Sequence, residues 1–396
     1  MEWKRCKIGD VCTINDDQYS LKENWSEALY LDTGSITANK IDVIQKIDDM
    51  ENNLPSRARR KVQNLDIIYS TVRPNQKHYG ILQNPEKNLL VSTGFSVIRA
   101  NPLIANPFYL YYLLTQDSIV NYLHSLGEQA VSAYPSIKPQ DIADLLIDLP
   151  QLNKQNKIAS ILSSLDAKIE NNNKINANLE AQAQALFKSW FVDFEPFQDG
   201  EFQDSELGRI PKGWKVGKLS EIANITMGQS PSGSTYNENH EGTEFYQGSA
   251  DFGWRFPNER VYTTEPLRFA ESNSILMSVR APVGTMNISL NKCCIGRGLA
   301  SIQSKDNSNS FVFYLMDFLK PLLNSYNGDG TVFGSINKKS LETLPIIKPP
   351  QDVIDSFEKI VSPLDGIIKN NSVETKTLST LRDTLLPKLM SGEIEV

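Results

Sequence analysis

The sequence predicts a mixed α/β chain built as a tandem duplication, with two globular domains alternating with two long helices that pair as an antiparallel coiled coil. Three observations carry this. The chain repeats itself. Each half closes on a long apolar stripe of coiled-coil spacing. The middle of each half holds short β-type runs bounded by Gly, Asn and Pro.

The repeat is read from landmarks. Trp3-Lys-Arg-Cys-Lys-Ile-Gly-Asp-Val opens the chain, and Trp214-Lys-Val-Gly-Lys-Leu-Ser-Glu-Ile opens its second half, 211 residues on. Ser70-Thr-Val-Arg-Pro resembles Ser278-Val-Arg-Ala-Pro, which places Arg73 on Arg280 at offset 207. Ser136 falls on Ser335, and Leu165-Asp166 on Leu364-Asp365, both at offset 199. The ends of the halves match while the middles drift, as expected of a shared scaffold with divergent inserts.

Each half ends in a helix of coiled-coil type. Ile158, Leu162, Leu165, Ile169, Asn172, Asn176, Leu179, Ala183, Leu186 and Trp190 step by alternating four and three. So do Phe357, Val361, Leu364, Ile368, Asn371, Thr375, Leu378, Arg382, Leu385 and Leu389. At 1.5 Å per residue each seam is roughly 50 Å long, and its spacing keeps it on one stripe. Asn172 and Asn371 sit mid-seam, where a polar residue sets register. Two such stripes in one chain satisfy each other, and an antiparallel pair suits helices that each follow a full globular unit. Pro387 puts the last turn of the second helix in doubt.

The expected boundaries are 1–152 for the first globular domain, 153–193 for the first helix and 194–213 for an acidic, Gly- and Pro-bearing linker. The second domain takes 214–351, and the second helix with its tail takes 352–396. Inside the inserts, the runs Leu65–Thr71, Leu89–Ile98, Ser274–Val279 and Cys294–Ile302 read as strands. Pro107–Leu126, capped by Asn106, and Phe311–Leu323 read as one helix each.

Composition narrows the class. The 396 residues are 40% hydrophobic and 22% charged, which suits packed cores. No apolar run approaches a membrane span, and no signal peptide opens the chain. Cys6, Cys12, Cys293 and Cys294 lack zinc-ligand spacing, and the three histidines lie elsewhere, so a reducing, cytoplasmic protein without a metal site is expected. There is no phosphate-binding Gly-x-x-x-x-Gly-Lys-Ser/Thr, no dinucleotide fingerprint after a strand, and no nucleophile elbow. Asn106-Pro-Phe-Tyr is better read as a helix cap than as a methyltransferase loop, and Asp365 with Glu374-Thr-Lys376 lies within the coiled-coil pattern. The catalytic set is empty.

Net charge is −7 and argues against nucleic acid on its own. It hides local patches. Residues 57–80 carry Arg57, Arg59, Arg60, Lys61, Arg73 and Lys77 against Asp66, a local +5, with Tyr79 beside them. Residues 252–305 carry seven bases against three acids, among them Arg255, Arg260, Arg268, Arg280 and Arg297. Arg forks read guanine edges, and Lys or Arg hold phosphates, so these twelve residues are the candidate DNA contacts. The seam residues above are the candidate interface between helices.

The constellation resembles the specificity (S) subunit of type I restriction-modification enzymes over essentially the whole chain. Its carriers are Ile158-Ala-Ser-Ile-Leu-Ser-Ser-Leu-Asp-Ala-Lys-Ile-Glu-Asn-Asn, Ala185-Leu-Phe-Lys-Ser-Trp-Phe-Val-Asp-Phe, Leu207-Gly-Arg-Ile-Pro-Lys-Gly-Trp and Leu381-Arg-Asp-Thr-Leu-Leu-Pro-Lys-Leu-Met-Ser-Gly-Glu-Ile, with the turn-rich segments Gly127–Ile142 and Gly328–Leu341. The resemblance implies that the globular domains are target-recognition domains, each binding half of an asymmetric bipartite site on double-stranded DNA. It implies that the helices are spacer and platform for two methyltransferase (M) subunits, with restriction/translocase (R) subunits joining for cleavage. S-adenosylmethionine, ATP and magnesium then belong to those partners, and this chain is non-catalytic. The alternative is a coiled-coil scaffold that binds only proteins, for which the net charge of −7 speaks.

Overall fold

The computed structural model describes residues 3–129, 134–328 and 334–396. The remaining parts of the turn-rich segments 127–142 and 328–341 lie outside the described residues. The chain forms two units, Met1–Glu170 with Lys376–Val396, and Asn171–Thr375.

In the first unit the strand Lys4–Lys7 pairs antiparallel with Leu146–Leu149, closing the domain at its base. A four-stranded sheet runs Cys12–Ile14, Phe95–Ala100, Ile67–Ser70, Tyr79–Ile81. A second runs Gln45–Ile47, Ala28–Leu31, Leu89–Ser92, Ala58–Lys61, with Leu89–Ser92 parallel to Ala28–Leu31. The second unit repeats this plan. Lys215–Lys218 pairs with Pro345–Lys348. A four-stranded sheet runs Ala223–Met227, Leu299–Ser304, Ile275–Ser278, Met286–Ile288, and a five-stranded sheet holds the parallel pair Thr243–Tyr246 and Cys293–Ile295. The duplication seen in the landmarks is therefore a duplication of topology.

Two expected strands are each divided. Leu89–Ile98 turns at Thr93-Gly94, and Cys294–Ile302 turns at Gly296–Gly298. The apolar run continues through both turns because residues on each side enter a sheet, so hydrophobicity alone hides the break. The two expected helices are divided too. Pro107–Leu114 and Asp117–Glu128 are separated by an extended Gln116, and Asn309–Phe318 is followed by Lys320–Asn324. Asn106 caps as expected, its Oδ1 accepting from Tyr109 N at 3.1 Å. The presumed linker is structured. Phe202–Ser205 and Gly208–Pro211 form a hairpin, and Phe194, Phe197, Phe202 and Trp214 pack edge to face around it. Its acids and glycines sit outside this aromatic cluster, which kept the pattern from reading as a strand pair.

The long helices span Leu152–Phe191 and Gln351–Ser391. The second continues through Pro387 and also through Pro363, each costing one backbone hydrogen bond. Burial of the seam on both sides of each proline outweighs that loss. All twenty seam positions are buried or half-buried. In the first unit Ile158 and Leu162 share a core with Leu385 and Leu389, and Arg382 donates to Asp166 at 2.7 Å. In the second, Phe187 and Phe191 meet Phe357 with centroids 6.0 and 5.1 Å apart. There, Asn371 donates to Asn176 at 2.9 Å, and Asn172 donates to Glu374 at 2.7 Å. Later residues of one helix thus meet earlier residues of the other within each unit, which is antiparallel pairing.

The matched Leu-Asp landmark has a physical task. Tyr112 donates to Asp166 at 2.6 Å in the first unit, and Tyr314 donates to Asp365 at 2.9 Å in the second. Each bond ties an insert helix to a long helix. An arginine completes each set, from different places: Arg382 of the second long helix on Asp166, and Arg255 of the insert on Asp365 at 2.6 Å.

Glu358 on the second long helix accepts from Phe311 N at 2.7 Å, and burial raises its carboxyl to about 7. Because the folded state holds this proton more tightly than the unfolded chain, stability falls as pH rises from about 4.5 to about 7. Glu358→Gln keeps the acceptor and removes the charge. It is expected to flatten that fall, measured as urea midpoints across pH 4.5–8; an unchanged slope would contradict the assignment.

Candidate nucleic-acid interface

One rim of each unit gathers basic residues from three backbone sites. In the first unit the Arg57 carbonyl accepts from Thr93 N at 2.8 Å, just where the strand Leu89–Ser92 ends. The Gly94 carbonyl of the following turn accepts from Thr71 N at 2.8 Å. Beyond it Val72 bridges to Ser136, and Arg73 N donates to Pro135 O at 2.9 Å. The second unit repeats each step. The Arg268 carbonyl accepts from Ile295 N at 2.9 Å, the Gly298 carbonyl accepts from Val279 N at 2.9 Å, and Arg280 bridges to Ser335. Both turns run close to a neighbour at their glycine. A Cβ on Gly94 would lie 2.8 Å from Thr33 Cγ2, and one on Gly298 would lie 2.4 Å from the Gln247 carbonyl.

These bonds correct the expected match of Arg73 with Arg280. Ser136 and Ser335 are equivalent, and their bridge partners are Val72 and Arg280. Ala281 N donates to Gly334 O as Arg73 N does to Pro135 O. Arg280 therefore corresponds to Val72, and Arg73 to Ala281. The signal was present in the sequence: Ser70 to Pro74 and Ser278 to Pro282 are equally spaced, and the arginine falls at a different place between them. Arg57 and Arg268 hold comparable places, each just ahead of the edge strand beside the central strand, and sequence comparison missed this because their surroundings share no letters.

The other candidates are distributed as follows. Arg57, Arg268, Arg280 and Arg297 are exposed, and their side chains make no ion pair among the described residues. Arg297 stands in the turn between Gly296 and Gly298. Arg73 is half-buried, with its guanidinium 4.7 Å above the Tyr134 ring and a left-handed backbone at φ 47°. Arg59 donates to the Ala58 carbonyl at 3.1 Å. Arg60 is half-buried, and its Nε has no acceptor among the described residues. Lys61 is bound to Glu23, Lys77 to Asp117 at 2.7 Å, and Arg260 to Asp251 at 2.7 Å. Their charge is already engaged.

Two candidates are excluded by burial. Tyr79 lies in the core of the first unit, stacked on Tyr69 at 5.5 Å, because its strand is covered by the helix carrying Tyr111. Arg255 is only 2% exposed. It donates to Glu180 at 3.0 Å and to Asp365 at 2.6 Å, and lies 3.7 Å over the Phe313 ring. It is a fastening of the insert to the helices, not a DNA contact.

No cluster of three or more His, Cys, Asp or Glu that could hold a metal ion occurs among the described residues. All four cysteines are free, and burial pushes the Cys12 and Cys293 thiols up to about 12. No described helix is long and apolar enough to cross a membrane.

Two copies of one α/β unit, each with arginines along one rim, give the chain a duplicated surface whose charge suits a polyanion. The chain belongs to the type I restriction modification DNA specificity domain family, which matches residues 1–181 and 211–382. It is 30% identical over 413 residues to the type I restriction enzyme MjaIX specificity subunit of Methanocaldococcus jannaschii, covering 98% of this chain and 92% of that one. It is 27% identical over 469 residues to the type I restriction enzyme HindI specificity subunit of Haemophilus influenzae, covering 99% and 100%. The fold is similar to the crystal structure of a type I restriction-modification system S subunit from M. genitalium, with a TM-score of 0.63 at 18% identity over 98% of this chain and 96% of that one.

Proposed function

We propose that this chain is the DNA sequence-recognition subunit of a type I restriction-modification complex, and that each unit binds one half of an asymmetric bipartite site. The duplicated arginine rim is the observation that carries this reading. Counterion release from phosphates supplies affinity, and a few side chains on each rim read base edges. Two inserts that differ in sequence call for two half-sites that differ.

The chain itself performs no chemistry in this reading. Methyl donor, ATP and magnesium are handled by methyltransferase and restriction/translocase subunits in the cytoplasm. The long helices offer those partners a surface. Ile161, Ile175, Ile360, Ile367 and Leu381 are exposed beside the seam at multiples of seven residues, the spacing on which a further helix packs.

The test is selection from a library of randomised duplexes by the full chain in complex with its methyltransferase subunits. Two groups of fixed bases separated by unspecified positions are expected. Enrichment of no sequence would favour the protein-only scaffold.

A further inference from the structure

We propose a division of labour on the two rims: Arg57 and Arg268 hold phosphates, while Arg73 in the first unit and Arg280 and Arg297 in the second read bases. This rests on the DNA-binding reading above and assigns roles within it.

Arg57 and Arg268 each stand immediately before the edge strand that pairs antiparallel with the central strand, Ala58–Lys61 in the first unit and Phe269–Ala270 in the second, and each carbonyl accepts an amide near the end of that central strand. Both are exposed, and neither is drawn into an ion pair among the described residues. Between two half-sites of different sequence, only the sugar-phosphate backbone is the same. An arginine kept just ahead of the same edge strand in both units therefore suits the contact that carries no sequence information.

The other three arginines break the equivalence. Arg73 corresponds to Ala281, and Arg280 to Val72, so each rim places its strand-end arginine one residue apart from the other. Such a displacement re-aims the side chain. Arg297 has no counterpart, since the corresponding turn in the first unit is Thr93-Gly94 and holds no basic residue. Arg73 is also prepared for directional bonding. A left-handed φ at a non-glycine residue costs conformational energy, and here it seats the guanidinium over the Tyr134 ring. A planar fork held at a fixed angle suits the bidentate geometry of a base edge.

The experiment measures binding of the full chain, complexed with its methyltransferase subunits, to its selected duplex and to a duplex of scrambled sequence over a range of salt. Arg57→Ala and Arg268→Ala are expected to weaken both duplexes equally and to lower the salt slope by about one unit each. Arg57→Lys and Arg268→Lys should restore both, since a point charge suffices for a phosphate. Arg73→Ala is expected to relax one base position of one half-site, with discrimination falling about ten- to a hundredfold. Arg280→Ala and Arg297→Ala should do so in the other half-site only, and the lysine variants should not restore discrimination. Circular dichroism identical to wild type shows that each variant folds. If Arg57→Ala or Arg268→Ala changes base preference at an unchanged slope, or the other three weaken both duplexes equally, the division is overturned. Failure of the wild-type complex to bind any duplex overturns the DNA reading itself.

Discussion

Arg255→Ala is expected to destabilise the second unit by about 3–5 kcal/mol, the usual cost of removing one partner from a buried ionic set. Arg255 serves two carboxylates, Glu180 and Asp365, and also donates to the Tyr314 hydroxyl at 3.2 Å. Burial already raises the Glu180 carboxyl, and its neighbouring Arg255 works against that shift. Without the guanidinium both carboxylates lose their compensating charge, and the Phe313 face loses its covering cation. Trp190, Trp214 and Trp254 belong to this unit, so a urea transition followed by tryptophan fluorescence reports on it. Arg255→Met combined with Glu180→Gln and Asp365→Asn should recover a large part of the loss, because no buried charge then remains. If Arg255→Ala keeps full stability and weakens DNA binding instead, the residue faces DNA and its assignment as a fastening is wrong.

Phe357→Ala carries the second large effect, about 3–5 kcal/mol for emptying a fully buried aromatic site. Phe357 has no exposed surface, and its ring lies among Phe187, Trp190, Phe191 and Phe311, with centroids 5.1–6.3 Å apart. This cluster joins segments of both long helices to an insert helix within the second unit, so a cavity here loosens three elements together. Phe357→Leu refills much of the volume and should restore most of the stability. An alanine variant within 1 kcal/mol of wild type would show that the aromatic cluster does not hold the helices.

What could be read in the sequence was whatever depends on local spacing. The seam was legible because ten positions per helix repeat at 3.5 residues, and Pro363 and Pro387 did not disturb the stripe. The duplication was legible at its ends, where Trp3 and Trp214 and the two Leu-Asp pairs recur. The strand breaks at Thr93-Gly94 and Gly296–Gly298 were not, since both flanks are buried and the apolar run is continuous. Arg255 was counted with the basic patch because its partners lie 75 and 110 residues away in sequence. Tyr79 was misread for the same reason, as its cover comes from a helix of the same unit some thirty residues later. The shared placement of Arg57 and Arg268 lies in strand topology, and no comparison of letters reaches it.

Whether each unit reads its own half-site is tested directly by exchange. Residues 15–135 of this chain are replaced by the corresponding segment of a family member, and randomised duplexes are selected again with the assembled complex. One group of fixed bases is expected to change while the other is retained base for base. A replacement that altered both groups, or neither, would contradict that expectation.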